Sequence, residues 1–196
     1  MSANFVHLRV HSDFSMMDGL NKVKPILAKV EELGMPAVAI TDQMNMCGLV
    51  KYYSEAHSRG IKPIIGTDFW VQSEDFPDEP FRLTLLAMNN EGYKNITLLI
   101  SKAYLRGHVH HKVLIDKQWL AEHAEGLSCI LRPGWTAEGA DVLKEAFGDR
   151  LVVALSRNRT PADTLRIRRA LDTSKRLDAP CVATNDVRFH RAERRM

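Results

Sequence analysis

Near the start of the chain, Arg9-Val10-His11 is followed by Asp13 and Asp18. On an extended strand, residues two apart share a face, so a histidine at position 9 would set two imidazoles side by side as metal ligands. An arginine stands there instead. Polar residues of similar promise recur at the ends of short apolar runs: Asp42-Gln43 after AVAIT, Gly66-Thr67-Asp68 within KPIIGTDFWV, Arg157-Asn158-Arg159 after LVVALS, and Asn185-Asp186-Val187-Arg188 after CVAT. A hydrolytic centre built on Zn, Mn or Fe draws on imidazole nitrogen and carboxylate oxygen, and the ion lowers the pKa of a bound water. Carboxylates are plentiful in this set, and imidazoles are scarce. A single acid after a strand, such as Asp42, more often caps a helix or opens a turn. Recurrence over several strands is what points to one shared site.

The elements that must position these residues read as alternating short β-branched runs and longer stretches of helical period, the signature of βα units around a parallel sheet. Seven strands are expected, at 5–11, 37–41, 62–71, 82–88, 127–131, 150–156 and 181–184. Helices are expected over 23–34, 46–60, 90–107, 136–149 and 160–179. The first ends at Gly34 ahead of Pro36, and the last opens on Thr160-Pro161-Ala162-Asp163, an N-cap, a proline at the first helical position and an acid in the first turn. The segments 73–81 and 106–112 read as loops. With no internal repeat and no Gly/Ser linker, residues 1–196 form a single domain in this reading, of the α/β class. In parallel α/β barrels chemistry gathers at the C-terminal ends of the strands, which is where the polar residues fall.

Bulk properties narrow the function classes without choosing one. The 196 residues are 45% apolar and 26% charged, typical of a globular domain with a sizeable core. A formal net charge of +3 is too small to argue for a nucleic-acid partner by itself. Cys47, Cys129 and Cys181 form no CxxC pair and suit a reducing compartment. No apolar stretch approaches the roughly 20 residues that span a bilayer, so a cytoplasmic protein without membrane contact is expected.

Other candidates carry less. His108, His110 and His111 lie in one short segment without a neighbouring carboxylate and read as a surface loop. His7 alternates with Arg9 and His11 and is expected as a hydrogen-bonded core histidine. Trp70, Trp119 and Trp135 are not interleaved with a basic stripe in sequence, and the basic tail from Arg188 to Arg195 reads as a solvated end or the stub of a helix.

Taken together, HLRVHSDFSMMDG, AITDQMNMCGLVKYY, GIKPIIGTDFWV, LTLLAMNNEGYKNITLLISKAY and VATNDVRF resemble the PHP (polymerase and histidinol phosphatase) domain found at the N-terminus of bacterial replicative DNA polymerase III alpha subunits, in its proteobacterial form. The resemblance covers nearly the whole chain. It implies a distorted seven-stranded (βα)7 TIM-like barrel, whose active members hold three metals at the rim and hydrolyse phosphoesters. Position by position, the family's ligands fall on Arg9, His11, Asp18, Gln43, Asp68, Arg82, Pro133, Asp186 and Arg188. Of these nine only His11, Asp18, Asp68 and Asp186 keep a side chain that can ligate. The sixth strand also departs from the family pattern, with Ala154 and Asn158.

Arginine is permanently charged, offers only donors and cannot bind a metal. Arginine at positions 9, 82 and 188 therefore implies no catalytic residue and no cofactor. The expected replacement is a salt-bridge network among Arg9, Arg82, Arg188, Asp18, Asp42, Asp68 and Asp186. Three convergent arginines holding a phosphate is the competing arrangement. The resemblance then implies a non-catalytic scaffold in DNA replication, either part of a polymerase alpha subunit or a stand-alone shortened relative. Its partners would be the remaining polymerase domains and the proofreading exonuclease (epsilon) subunit, with DNA only indirectly. The alternative is a phosphoesterase or 3′–5′ exonuclease with weak residual activity, using Zn, Mn or Mg on His11, Asp18, Asp68 and Asp186.

Overall fold

The computed structural model describes residues 5–16, 18–72, 80–109, 111–132, 134–135, 137–157 and 160–188. Its main sheet is built from β1 (Ala37–Ile40), β2 (Lys62–Val71), β3 (Phe81–Ala87), β6 (Leu127–Leu131), β7 (Leu151–Leu155) and β8 (Cys181–Ala183), in that spatial order. The expected first strand is present as a bent edge segment without a continuous ladder. It nevertheless bridges both ends of the sheet, with His7 beside Val38 and Val10 beside Val187. The Ala39 and Thr41 amides donate to the His7 and Val10 carbonyls at 2.8 and 2.9 Å, and the His11 amide donates to the Val187 carbonyl at 2.9 Å. Six strands and this segment make the seven-membered, distorted TIM-like wall.

One strand departs from the parallel pattern. β3 runs antiparallel to both β2 and β6, because the connection over 72–80 is too short for the dozen or more residues of a parallel crossover. The start of β3 therefore lies at the same rim as the end of β2, with Arg82 directly opposite Trp70.

Side-chain alternation divides the interior into two levels. Ile64, Gly66, Asp68 and Trp70 share one face of β2. Ile64 joins Leu8, Ala39, Leu86, Ile130, Val152, Ala154 and Val182 in an apolar floor. Above the floor the same faces deliver charged groups. Outside the wall, α1 (Val23–Glu32) and α2 (Leu49–Ser58) cover one arc through Leu27, Val30, Tyr52 and Ala56. A larger cluster including Phe69, Leu83, Leu99, Leu127, Leu143 and Phe147 lies under α3 (Asn90–Arg106) and α5 (Ala137–Phe147). α6 (Asp163–Arg176) packs on β7. No helix among the described residues is long and apolar enough to cross a membrane.

The helix ends follow local chemistry. Gly34, after α1, adopts φ +64, a conformation that costs a Cβ-bearing residue. The N-cap of α6 is Ala162 rather than the expected Thr160; the Asp163 carboxylate accepts from the Thr160 amide at 3.1 Å and from its hydroxyl at 2.6 Å, closing the turn that leads into the helix. α4 (Lys117–Glu122) has no counterpart in the expected helices. It is short, and Asp116 opens it by accepting from the Gln118 amide. The segment 106–112 is not a plain loop either, since β4 (His108–Val109) pairs with β5 (Lys112–Val113) in a small antiparallel ribbon. Within it, His110 lies outside the described residues.

Candidate functional site: a charged barrel rim

The rim is organised around Asp68, which is fully buried on the inner face of β2. The Arg9 guanidinium reaches it with Nη2 at 2.9 Å from Oδ2 and Nε at 3.4 Å from Oδ1, and the same Nη2 lies 2.8 Å from Asp186 Oδ1. His11 joins two acids, with Nε2 2.8 Å from Asp68 Oδ2 and Nδ1 2.8 Å from Asp18 Oδ1. The Thr84 hydroxyl, opposite Asp68 on β3, donates to its Oδ1.

Arg132, directly after β6, places Nη2 2.8 Å from Asp186 Oδ2 and Nη1 3.8 Å from Asp68. Arg188 lies 3.2 Å from Asp18 and 3.3 Å from Asp186. Four cationic side chains thus alternate with three carboxylates across elements from both ends of the chain.

Electrostatics follow from this order. Burial alone raises the Asp68 carboxyl, but Arg9, His11 and Arg132 overcome it and hold the group far below the usual carboxylate range. Asp186 shows the same contest, won by Arg9, Arg132 and Arg188. Burial lowers His11, yet its hydrogen bonds to Asp68 and Asp18 prevail and raise it above 6.5, so the ring is set up as an imidazolium donating from both nitrogens.

Two of the sequence-expected network members take other partners. Asp42 has no arginine beside it among the described residues: Oδ1 accepts from the Ser12 amide at 2.7 Å and the Ser15 hydroxyl at 2.8 Å, and Oδ2 from the Ser12 hydroxyl at 2.8 Å. Burial outweighs these bonds and raises its pKa. Its work is to pin the turn that carries Asp18. That turn also needs Gly19, where a Cβ would fall 1.7 Å from the Ser12 carbonyl oxygen. Arg82 has no carboxylate within 4.0 Å among the described residues; its guanidinium carbon sits 5.4 Å from the Trp70 ring centroid, drawn there by the antiparallel pairing.

Gln43, beside Asp68 in a parallel bridge, donates to the Asp68 carbonyl at 3.0 Å. Pro133 lies outside the described residues. His7 does not share the rim face. A bend at Leu8 turns it toward α1, where it lines an apolar cavity of about 260 Å³ with Val10, Ile26, Val30, Leu33 and Val38. Burial lowers its pKa, and its Nδ1 is buried without a hydrogen-bond partner, unlike the hydrogen-bonded histidine expected there.

Arg132 was not singled out in the sequence, although it shares the inward parity of Ile130 and ends a strand. Ser12, Ser15 and Thr84 were missed because a hydroxyl declares its partner only in three dimensions.

These donors do not fit a divalent cation. Each oxygen a metal would need on Asp68 and Asp186 already faces a guanidinium, both His11 nitrogens are engaged, and Arg9 is 1% exposed and cannot swing aside. Among the described residues, no group of three or more His, Cys, Asp or Glu is arranged to hold a metal ion.

Comparison with known proteins agrees with the barrel. The sequence profile of the PHP domain matches residues 7–159. The chain is 53% identical to the DNA polymerase III subunit alpha of Vibrio cholerae over 94% of its own length and 17% of the relative. It is 46% identical to that of Escherichia coli K12 with the same coverage. Against Pseudomonas aeruginosa the figures are 42% identity, 98% of this chain and 18% of the relative. The chain therefore spans about a sixth of the length of these relatives. Among solved structures, a protein assigned as a metal-dependent phosphoesterase from Bifidobacterium adolescentis superposes with a TM-score of 0.65 at 13% identity, over 94% of this chain and 87% of the other. An amidohydrolase from Chromobacterium violaceum, with bound sulfate and no metal, gives 0.59 at 10%, over 93% and 87%. At such identities the likeness speaks for the fold.

Proposed function

The chain belongs to the PHP domain family, and on that premise we propose that it is a single, non-catalytic PHP domain acting in DNA replication as part of, or as a relative of, a replicative polymerase alpha subunit. It supports the remaining polymerase domains, docks the proofreading exonuclease (epsilon) subunit, meets DNA only through them, and works in the cytoplasm. The observation that carries this reading is the Arg9 side chain, buried between Asp68 and Asp186. A permanent cation there does structurally what a metal does in a hydrolytic relative: it neutralises converging carboxylates and ties the first segment to β2 and to the end of the chain. It cannot activate a water.

Calorimetric titration of the chain with Mn or Zn is expected to give no binding heat, and p-nitrophenyl phosphate or single-stranded DNA with added Mn is expected to stay intact. A pull-down should retain the exonuclease subunit. A second reading, a weak metal-dependent phosphoesterase, draws support from the convergence of His11, Asp18, Asp68 and Asp186 on one spot. Hydrolysis that Asp186→Ala abolishes would establish it in place of the first.

A further inference from the structure

The cavity of about 260 Å³ that His7 lines lies behind the first segment, on the side away from the rim. Arg9 and His11 turn their side chains to the rim acids, so Val10 between them faces the opposite way, beside the apolar face of α1. Met35, Val38 and Val187 continue the wall in hydrocarbon. Lys29 also lines it, but its ammonium is answered on the exposed side of α1 by Glu32 Oε1 at 2.6 Å. Within this setting His7 is held from two sides. The Ala39 amide donates to its carbonyl at 2.8 Å, and the Phe5 ring stands edge-on to the imidazole with centroids 5.0 Å apart and 84° between the planes. Its Nδ1 is buried and has no hydrogen-bond partner among the described residues.

A buried polar atom left in this state is costly, and a ligand that supplies the missing partner recovers the cost. Burial favours the neutral ring, in which Nδ1 accepts in one tautomer and donates in the other. A hydroxyl serves either tautomer. A carboxylate or phosphate would instead bring an unanswered charge into an apolar space. At the packing density of protein interiors, 260 Å³ leaves about 190 Å³ for the ligand's own atoms, room for two fused aromatic rings. A flat ring system gives up little conformational freedom on binding, and the Met35 thioether in the wall makes favourable contact with aromatic carbon. We propose that this cavity is a binding site for a small, uncharged aromatic alcohol, whose rings fill the space between the first segment and α1 and whose hydroxyl pairs with His7 Nδ1.

Titration of the 196-residue chain with 2-naphthol at neutral pH, followed by nuclear magnetic resonance, tests this, with naphthalene as the ligand that lacks the hydroxyl. Naphthol should bind one to one with a dissociation constant on the order of 10–100 μM, and naphthalene about fivefold more weakly. The ring-nitrogen resonance of His7 should move with naphthol and stay in place with naphthalene. Val30 is buried on the cavity wall, so the ring added by Val30→Phe has the cavity to enter; it should weaken naphthol binding about tenfold or more without lowering the unfolding midpoint. His7→Phe should bring the two ligands to equal affinity. Naphthol that fails to saturate the chain overturns the proposal. Equal affinity of the two ligands for the unaltered chain, or naphthol binding indifferent to Val30→Phe, overturns it as well.

Discussion

Arg9 and Asp68 form a buried ion pair in which Nη2 lies 2.9 Å from Oδ2 and each side chain is 1% exposed. Replacing Arg9 by Met takes from buried Asp68 and from Asp186 the guanidinium that neutralises both, and removing one partner of a buried pair costs about 3–5 kcal/mol. The urea midpoint should fall accordingly. Arg9→Met with Asp68→Leu should recover part of the loss, because no buried charge is then left alone at position 68.

The rim should make stability peak in mildly acidic solution. Asp68 and Asp186 titrate below their ordinary 3.8 in the folded chain, so their contribution is present above that value and disappears as pH falls through the depressed folded values. His11 titrates above its ordinary 6.5; its contribution is complete below 6.5 and is lost as pH rises through the raised folded value. Urea unfolding from about pH 3 to pH 9 should show both limbs, and His11→Gln should flatten the alkaline one and, because His11 helps hold Asp68 low, make the acid one shallower.

Asp42→Ala should release the turn over 12–20. Three donors lose their acceptor, all of them on the buried Ser12 and Ser15, and orphaned buried donors cost about 1–3 kcal/mol each. Limited proteolysis should show new cleavage within this turn at a denaturant concentration that leaves the wild type intact.

Two glycines separate two kinds of strain. Gly34→Ala meets no atom within 4 Å but must hold φ +64, and should cost about 1 kcal/mol. Gly19→Ala drives a Cβ into the Ser12 carbonyl and should exceed it, at about 2 kcal/mol or more. Thermal melts of the two variants, side by side, give the comparison.

The barrel was readable in the chain because its wall is written in short apolar runs, six of them recovered as strands and the first only as a bent edge segment. The direction of β3 was not, since alternation is identical for either orientation and only the length of the 72–80 connection carries the information. At the rim, Arg9, His11, Asp18, Asp68, Asp186 and Arg188 stand together as their positions at strand ends suggest. Arg82 left the set because β3 delivers it beside an indole, and Asp42 because nearby hydroxyls outcompeted distant guanidinium groups. Arg132, the residue before Pro133, entered it through Asp186 and Asp68. Such exchanges depend on cross-strand register, which local sequence does not encode.

The first segment bridges both edges of the sheet, and Arg9 finds Asp186 across a separation of 177 residues. During synthesis this stretch leaves the ribosome before any other part of the wall and waits until nearly all the rest has emerged before both its neighbours exist. At about 5–20 residues per second that wait is on the order of 10–40 seconds, long compared with the micro- to millisecond collapse of local helices. Closing the wall is therefore a late, long-range event, and until it occurs a charged, half-apolar segment must survive with one edge open.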